Sequence, residues 1–188
     1  SSSSHKGEKK KFNRKEEAKR RKRTYLIMAD LTKYVDAAKV TALNYDKSTK
    51  PESIFGGQGL IKSDTDEQLL IVVPFTEEVK IRHISFSAEG KEGIDSAPKI
   101  VKIFKNAESM EFEEAEDTEP TAQLDLSADD LKNAEKLKLK FTKFQDVNSI
   151  TIFVESNQGD EDVSFLSNVT FYGQSKPGTN MKELKKAG

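Results

Sequence analysis

The most concentrated chemistry in the sequence is a run of carboxylates in the segment Glu108–Glu119, ESMEFEEAEDTE. It holds seven acidic residues in twelve positions and no Lys or Arg. Clustered like charge steers a partner of opposite charge and orients it, so the segment is a candidate docking loop for a basic partner. The alternative is a solvated loop that Met110 and Phe112 anchor to the core. The candidate contact residues are Glu111, Glu113, Glu114, Glu116 and Asp117.

Two smaller carboxylate clusters contain the hard oxygen ligands that calcium prefers. They are Asp64, Asp66 and Glu67, and Asp160, Glu161 and Asp162. Neither cluster has the glycine and the closing glutamate at the spacing of an EF-hand loop, so we predict no metal site.

Catalytic motifs are missing from the sequence. It has no cysteine, which removes disulfides, thiolate ligands and CxxC redox chemistry. It also lacks the nucleophile elbow, the phosphate loop and the dinucleotide fingerprint. His83 has few partners for a zinc site or a catalytic dyad, so we predict a strand histidine satisfied by a neighbour. We therefore predict a protein that is not an enzyme and has no cofactor.

Charge is distributed unevenly along a chain whose net charge is −1. Residues 1–23 contain eleven Lys or Arg and three Glu, whereas residues 24–188 contain 20 basic and 29 acidic residues. The basic arm has the composition of a nucleic-acid-binding arm, a nuclear localisation patch or an exposed leader helix. A solvated tail is the simpler interpretation, with Met28 as a candidate initiator. We expect no nucleic-acid partner and, since the longest apolar run is only Leu69–Val73, no membrane partner.

The elements that must position these residues are strands. The strongest signal is an aliphatic residue at every second position, at Ile150, Ile152 and Val154. A polar connection leads from there to a second alternating set at Phe165, Val169 and Phe171. The pattern of Leu69–Phe75 predicts a strand buried on both faces. Pro74 should end the hydrogen-bonded pairing of this strand, because proline has no N–H.

Further strands are predicted on both sides of the acidic segment. Val79–Ser87 follows a turn at Thr76–Glu78, and its shift of apolar phase indicates either a bulge near Arg82 or His83 or a strand buried on both faces. The remaining strands are KIVKIFKN after Pro98, Thr121–Leu126 and Leu137–Phe144. Ser127 is a candidate N-cap for one helical turn, and Ala29–Asn44 has the spacing of a short helix or turn.

Seven strands without alternating helices predict one all-β domain, a jelly-roll β-sandwich. At 188 residues the chain has room for one domain with additional terminal segments. We place the arm at residues 1–28, the sandwich at 29–174 and a tail at 175–188.

Several segments of the sequence resemble the PITH domain family, the proteasome-interacting C-terminal module of thioredoxin-like proteins. They are SDTDEQLLIVVPF, PKIVKIFKN, SMEFEEAEDTEPTAQLDL, KFQDVNSITIFVESNQGDED and TFYG, in that order. The resemblance implies a galactose-binding-like jelly roll in the cytoplasm and nucleus that binds the regulatory particle of the 26S proteasome. The CxxC thioredoxin half that precedes the module in two-domain relatives is absent here, so redox activity does not carry over, although a thioredoxin domain in trans is a possible partner.

The expected function is thus a non-catalytic protein-interaction module, with the acidic segment and the tail as contact candidates. The tail contributes Met181, Leu184 and Lys185, because a mobile segment with apolar side chains can order on a partner. The alternative is a small-ligand or carbohydrate-binding jelly roll. That alternative is weaker, because the chain has no Trp and its eleven Phe stand mainly at core positions.

The first prediction concerns the basic arm. Deleting residues 1–23 should leave the melting temperature unchanged, because Phe12 is almost the only apolar residue there and little buried area can offset the entropy of ordering. Thermal unfolding of the full and the shortened chain measures this. A clear fall in melting temperature would mean that the arm packs on the sandwich.

Overall fold

The computed structural model describes residues 14–20, 29–57, 59–90 and 92–180 and, for residues 177–180, the backbone alone. Residues 14–20 form a helix, α1, whose side chains are all exposed. Among the described helices, none is long and apolar enough to cross a membrane.

Ten strands and two further helices follow α1 in the described chain. The strands are β1 (Ala29–Asp30), β2 (Thr41–Leu43), β3 (Ile61–Lys62), β4 (Leu69–Ser87), β5 (Ile100–Lys105), β6 (Ala122–Asp125), β7 (Leu137–Lys138), β8 (Val147–Val154), β9 (Phe165–Leu166) and β10 (Asn168–Asn180). The helices are α2 (Phe112–Asp117) and α3 (Ala128–Lys132). Short 3-10 turns lie at Thr32–Tyr34, Ala37–Lys39, Pro51–Ile54, Ile94–Ser96 and Phe141–Lys143.

Strand β4 belongs to both layers of the fold. Its first half pairs with β2 and β8, and its second half pairs with β7 and β10. The main strand order is β1-β10-β4-β8-β5-β6, and every pairing is antiparallel. The sheet curls around one main core, which confirms the predicted all-β jelly-roll sandwich. Strands β8 and β10 flank β4 and do not pair with each other.

Pro74 does not end its strand, so that prediction is wrong. β4 runs through Pro74 and through the predicted turn at Thr76–Glu78 without a break. The ladder with β8 becomes irregular between Pro74 and Val79, which is where β4 begins to pair with β10. A residue without an N–H is tolerated there because the ladder is interrupted anyway, and the Pro74 carbonyl accepts a hydrogen bond from the Asp36 N–H at 2.8 Å.

The predicted bulge near Arg82 or His83 is confirmed. Tyr172 lies opposite His83 and Gly173 lies opposite Ile81, so Arg82 is the extra residue on β4. Gly173 is needed at this point, because a Cβ there would collide with the Lys80 carbonyl oxygen.

The predicted alternation of side chains is also confirmed. Ile150, Ile152 and Val154 are fully buried in the main core between the layers. Phe153 is fully buried on the opposite face, where a second cluster forms. β8 is therefore covered on both sides.

Three further predictions concern short local elements. Ser127 caps α3 in a capping box, since its side chain accepts from the Asp130 N–H and the Asp130 carboxylate accepts from the Ser127 N–H. Leu137–Phe144 contains only the two-residue strand β7, followed by a 3-10 turn. Ala29–Asn44, predicted to be a short helix or turn, holds two 3-10 turns between the short strands β1 and β2.

The last strand continues beyond the predicted end of the sandwich at residue 174. β10 runs to Asn180, which lies opposite Glu77. Lys176 fixes this part of the strand through ion pairs with Glu78, at 2.7 Å, and with Asp146. The Asp146 and Glu78 carboxylates raise the pKa of Lys176 to about 12, and the Lys176 ammonium lowers the pKa of Asp146.

His83 lies in β4 as predicted, but its surroundings differ from the prediction. Within the described residues its buried Nδ1 has no hydrogen-bond partner. Burial lowers the pKa of His83, and the positive charges of Lys138, Lys136 and Arg82 lower it further. The folded chain therefore favours the neutral imidazole.

The second prediction tests the buried face of β8. Ile152→Ala should lower the free energy of unfolding by about 2–5 kcal/mol, because the side chain is fully buried and the surrounding core cannot close the cavity. Denaturant unfolding measures the change. Asn148→Ala is the control, since Asn148 is exposed on the same strand and should change stability by less than about 0.5 kcal/mol. An equally small effect at Ile152 would contradict the packing.

The third prediction follows from the lowered pKa of His83. Its ordinary value is 6.5, so as the pH falls through that value the unfolded chain takes up a proton at this position more readily than the folded chain. The stability that the neutral imidazole contributes is thus present above this pH and is lost below it. Denaturant unfolding between about pH 5.5 and 7.5 should show a stability that rises with pH. The slope should be shallower in His83→Gln, and an identical slope in both proteins would contradict the prediction.

Candidate interaction surface on the acidic helix

The acidic segment forms a helix and not the predicted loop. α2 spans Phe112–Asp117, and its inward residues are Phe112 and Ala115, three positions apart on one side of the helix. Glu111 precedes the helix in an extended conformation and provides no side-chain cap. A six-residue helix without a cap has little stability of its own, so contacts with the sheet must hold it in place.

Those contacts form an apolar cluster on the outer face of the sheet, which we call the outer cluster. Its buried members are Leu70, Val72, Phe104, Ala115 and Phe153. Met110 and Phe112 pack against it, as predicted for the two anchors. The rings of Phe112 and Phe153 meet edge to face, with centroids 6.1 Å apart. The outer cluster therefore fixes α2 on the sheet.

The structure brings the predicted acidic contact residues together on and beside α2. The exposed residues are Glu111, Glu113, Glu114, Glu116 and Asp117. The Glu116 carboxylate accepts a hydrogen bond from Gln68 Nε2 at 3.1 Å, and the Glu116 backbone carbonyl accepts one from Lys102 Nζ at 3.5 Å. Within the described part of the chain, none of the five carboxylates forms a salt bridge. The surface thus has a concentrated negative charge that no salt bridge among the described residues neutralises.

A groove of about 210 Å³ lies next to this charge, between β2 and the segment that leads into α2. Its floor is Leu70 and Val72 of the outer cluster, and its walls are β2 and residues 108–111. Leu43 on the β2 wall is 42% exposed, the one large hydrophobic side chain of the described residues that is exposed. We call this depression the β2 groove.

The β2 groove was missed in the sequence because its walls are distant in the chain. Thr41 pairs with Val72 and Leu43 pairs with Leu70, and paired residues of an antiparallel ladder project on the same face. The three residues of β2 are too few for a strand pattern to stand out, and the helical spacing of residues 29–44 obscured it. In the described topology β2 pairs only with β4, so its other edge is open.

The remaining predicted contact residues, Met181, Leu184 and Lys185, lie outside the described residues. Their role in binding stays a prediction.

The two smaller carboxylate clusters lie in loops that side-chain hydrogen bonds hold in place. Asp66 Oδ1 accepts hydrogen bonds from Asn44 Nδ2 at 2.7 Å and from the Gln68 N–H at 3.0 Å. Asn157 closes the loop that contains residues 160–162. Its Nδ2 donates to the Glu161 carbonyl, and its Oδ1 accepts from the Glu161 N–H. Among the described residues, no three His, Asp or Glu side chains are grouped so as to hold a metal ion.

The aromatic side chains are directed mainly into the protein. Every described Phe and Tyr is buried or half-buried, and Phe86, Phe144, Phe153, Phe165 and Phe171 are almost fully enclosed. Sugar-binding sites usually present an open aromatic face, and the described residues offer none that is fully exposed.

Comparison with known proteins identifies the relatives of this chain. The family model for the PITH domain matches residues 23–188. Thioredoxin-like protein 1 of Schizosaccharomyces pombe is 32% identical over 162 residues, which are 84% of this chain and 56% of that protein. PITH domain-containing protein 1 of Danio rerio is 30% identical over 139 residues, which are 70% of this chain and 64% of that protein. The chain therefore spans more than half, but not all, of these relatives.

Solved structures share the fold at low sequence identity. CBM32-3, from a family 31 glycoside hydrolase of Clostridium perfringens, has a TM-score of 0.56 at 12% identity and covers 77% of this chain and 97% of its own. The family 32 carbohydrate-binding module of C. perfringens NanJ, solved in complex with galactose, has a TM-score of 0.54 at 12% identity and covers 78% of this chain and 99% of its own. Such similarity shows a galactose-binding-like jelly roll and nothing further about ligands. The fold and the match along nearly the whole chain together show that this protein belongs to the PITH domain family.

Proposed function

We propose that this PITH domain is a non-catalytic interaction module that binds the regulatory particle of the 26S proteasome, in the cytoplasm and nucleus, through α2 and the β2 groove. Membership of the family supports an interaction role, and the resemblance of the sequence motifs supports the partner. The observation that carries the contact site is the row of five exposed carboxylates on and beside α2 that lack a salt bridge within the described residues.

The charge and the groove have complementary roles in such a contact. Carboxylates at the rim of an interface raise the association rate of a basic partner and set its orientation, but they contribute modestly to affinity because water screens them. An apolar side chain that enters a pocket gives most of the binding energy. The β2 groove offers such a pocket, since Leu70, Val72 and Met110 line it and Glu108 and Glu111 stand at its edge.

A matching partner surface has an apolar side chain with Lys or Arg residues close to it. The open edge of β2 gives this surface a further means of attachment, because an extended segment can pair with the free backbone groups of an edge strand. Residues 181–188 would add a second contact if Met181 and Leu184 become buried on the partner.

The fourth prediction tests α2. Changing Glu113, Glu114 and Glu116 to Gln should weaken binding to purified 26S proteasome roughly tenfold at low salt, because three charge contacts of moderate strength are lost. The difference between the variant and the unchanged chain should shrink as salt is raised towards about 0.5 M, since screening removes the same contribution. Binding is measured by pull-down with purified components over a salt series.

The matched control is the triple variant Glu89→Gln, Asp125→Asn and Glu135→Gln, which removes three exposed acidic residues away from α2. It should bind as the unchanged chain does. Leu43→Asp tests the groove separately, because this exposed position can be changed with little effect on folding. A chain ending at Asn180 keeps β10 complete and removes the tail contact.

Full binding by the triple α2 variant and by Leu43→Asp would rule out this surface as the contact. Loss of binding only on truncation after Asn180 would assign the contact to the tail. No binding of the unchanged chain at low salt would refute the proteasome as the partner.

A further inference from the structure

A second charged surface of opposite sign lies on the other half of β4. The bulge at Arg82 places two consecutive residues on the outer side, because Ile81 and Ile84 on either side are both buried in the main core. Arg82 and His83 therefore both face away from the core. A regular strand would have turned one of them inwards.

Strand β7 adds lysines beside these two residues. Lys138 lies opposite His83, so the two side chains share the outer face. Leu139 is buried, and its N–H donates to the Arg82 carbonyl at 2.8 Å, which continues the contact with β4 beyond β7. Lys136 and Lys140 each lie two residues from Lys138, which is the spacing of side chains on one face of an extended segment. All three are exposed. We call the surface formed by Arg82, His83, Lys136, Lys138 and Lys140 the basic face.

Aromatic rings hold two of these cations in place. The guanidinium carbon of Arg82 lies 3.6 Å from the centre of the Phe141 ring, and Lys136 Nζ lies 4.6 Å from the centre of the Tyr172 ring. A cation stacked on a ring has fewer accessible conformations, so less entropy is lost when it binds an anion. The same stacking covers one side of each ring.

The fold leaves the charge of the basic face uncompensated. Within the described residues, none of its members forms a salt bridge. The buried Arg82 Nε and His83 Nδ1 have no hydrogen-bond partner there. Burial lowers the pKa of His83, and the positive charges of Lys138, Lys136 and Arg82 lower it further. A concentrated positive potential of this kind attracts anions.

We propose that the basic face binds a short acidic peptide segment of a partner protein. Carboxylates of Asp or Glu would pair with the lysines and with the guanidinium of Arg82. A planar guanidinium can donate two parallel hydrogen bonds to one carboxylate. This site is independent of the proteasome proposal, since it lies on a different half of β4 and selects a partner segment of opposite charge.

The structure favours an acidic peptide over a nucleic acid for two reasons. Single-stranded nucleic acids bind through bases that stack on open rings, whereas Phe141 and Tyr172 are half-buried and already carry Arg82 and Lys136. Residues 24–188 contain 29 acidic against 20 basic residues, so a long phosphate backbone that extends beyond the basic face would meet repulsion. A few carboxylates fit within the patch.

The experiment uses the full chain and a fluorescein-labelled peptide of eight consecutive glutamates, with an eight-glutamine peptide and a twelve-residue oligothymidylate as competing probes. Fluorescence anisotropy at low salt should show binding of the labelled glutamate peptide. The glutamine peptide should not displace it. The variant Lys136→Gln, Lys138→Gln, Lys140→Gln should bind the glutamate peptide about tenfold more weakly, because three charge contacts are removed. The variant Lys39→Gln, Lys50→Gln, Lys99→Gln removes three exposed lysines elsewhere and should bind unchanged.

The arm at residues 1–23 is also basic, so the site is located by a second measurement. In a titration followed by amide NMR, the glutamate peptide should shift residues 82–83 and 136–140. Lys138→Glu, a single reversal of charge at an exposed site, should suppress those shifts. Shifts confined to residues 1–23, equal affinity of both triple variants, or tighter binding of the oligothymidylate would each overturn the proposal.

Discussion

The structure depends on one strand that is shared between two layers. Val79 pairs with Val147 of β8 on one side and with Ser175 of β10 on the other, so the two layers meet at this residue. A strand of nineteen residues can serve both layers only if its ladders change where it bends. Pro74 and the extra residue Arg82 each lie at an irregularity in these ladders. Each removes regular pairing at a place where the sheet has to curl, which is the usual effect of a bulge or a missing N–H in a strand.

The two halves of β4 have different outer faces, and this difference determines the charge that each face presents. The first half carries Leu70 and Val72 on its outer side. These apolar side chains are buried beneath α2. The helix that covers them brings its acidic residues to the surface. The second half carries Arg82 and His83 on its outer side, beside the lysines of β7. One strand thus separates an acidic surface from a basic one, and the apolar pattern of β4 fixes both.

Features that depend on residues close together in the sequence were predicted correctly. The alternation at Ile150, Ile152 and Val154, the cap at Ser127 and the bulge near Arg82 each depend on neighbouring residues, and each is present. Features that depend on distant contacts were missed. Whether Pro74 ends a strand is decided by the partner strand, and α2 is held in place by distant residues of the outer cluster such as Phe153. The β2 groove and the basic face need the pairings of β2 and β7 with β4, which neighbouring residues do not encode.

The comparison with carbohydrate-binding modules shows why the fold alone does not give the function. The chain shares their jelly roll at 12% identity, so the scaffold is compatible with very different side chains. Among the described residues, aromatic side chains fill the interior: Phe75 and Phe171 contact each other edge to face in the core, and Phe112 packs α2 on the sheet. Rings that hold the layers together are not open to stack on a sugar. The exposed surface is then left to charged residues, which suit a protein partner whose charges and apolar side chains are arranged to match.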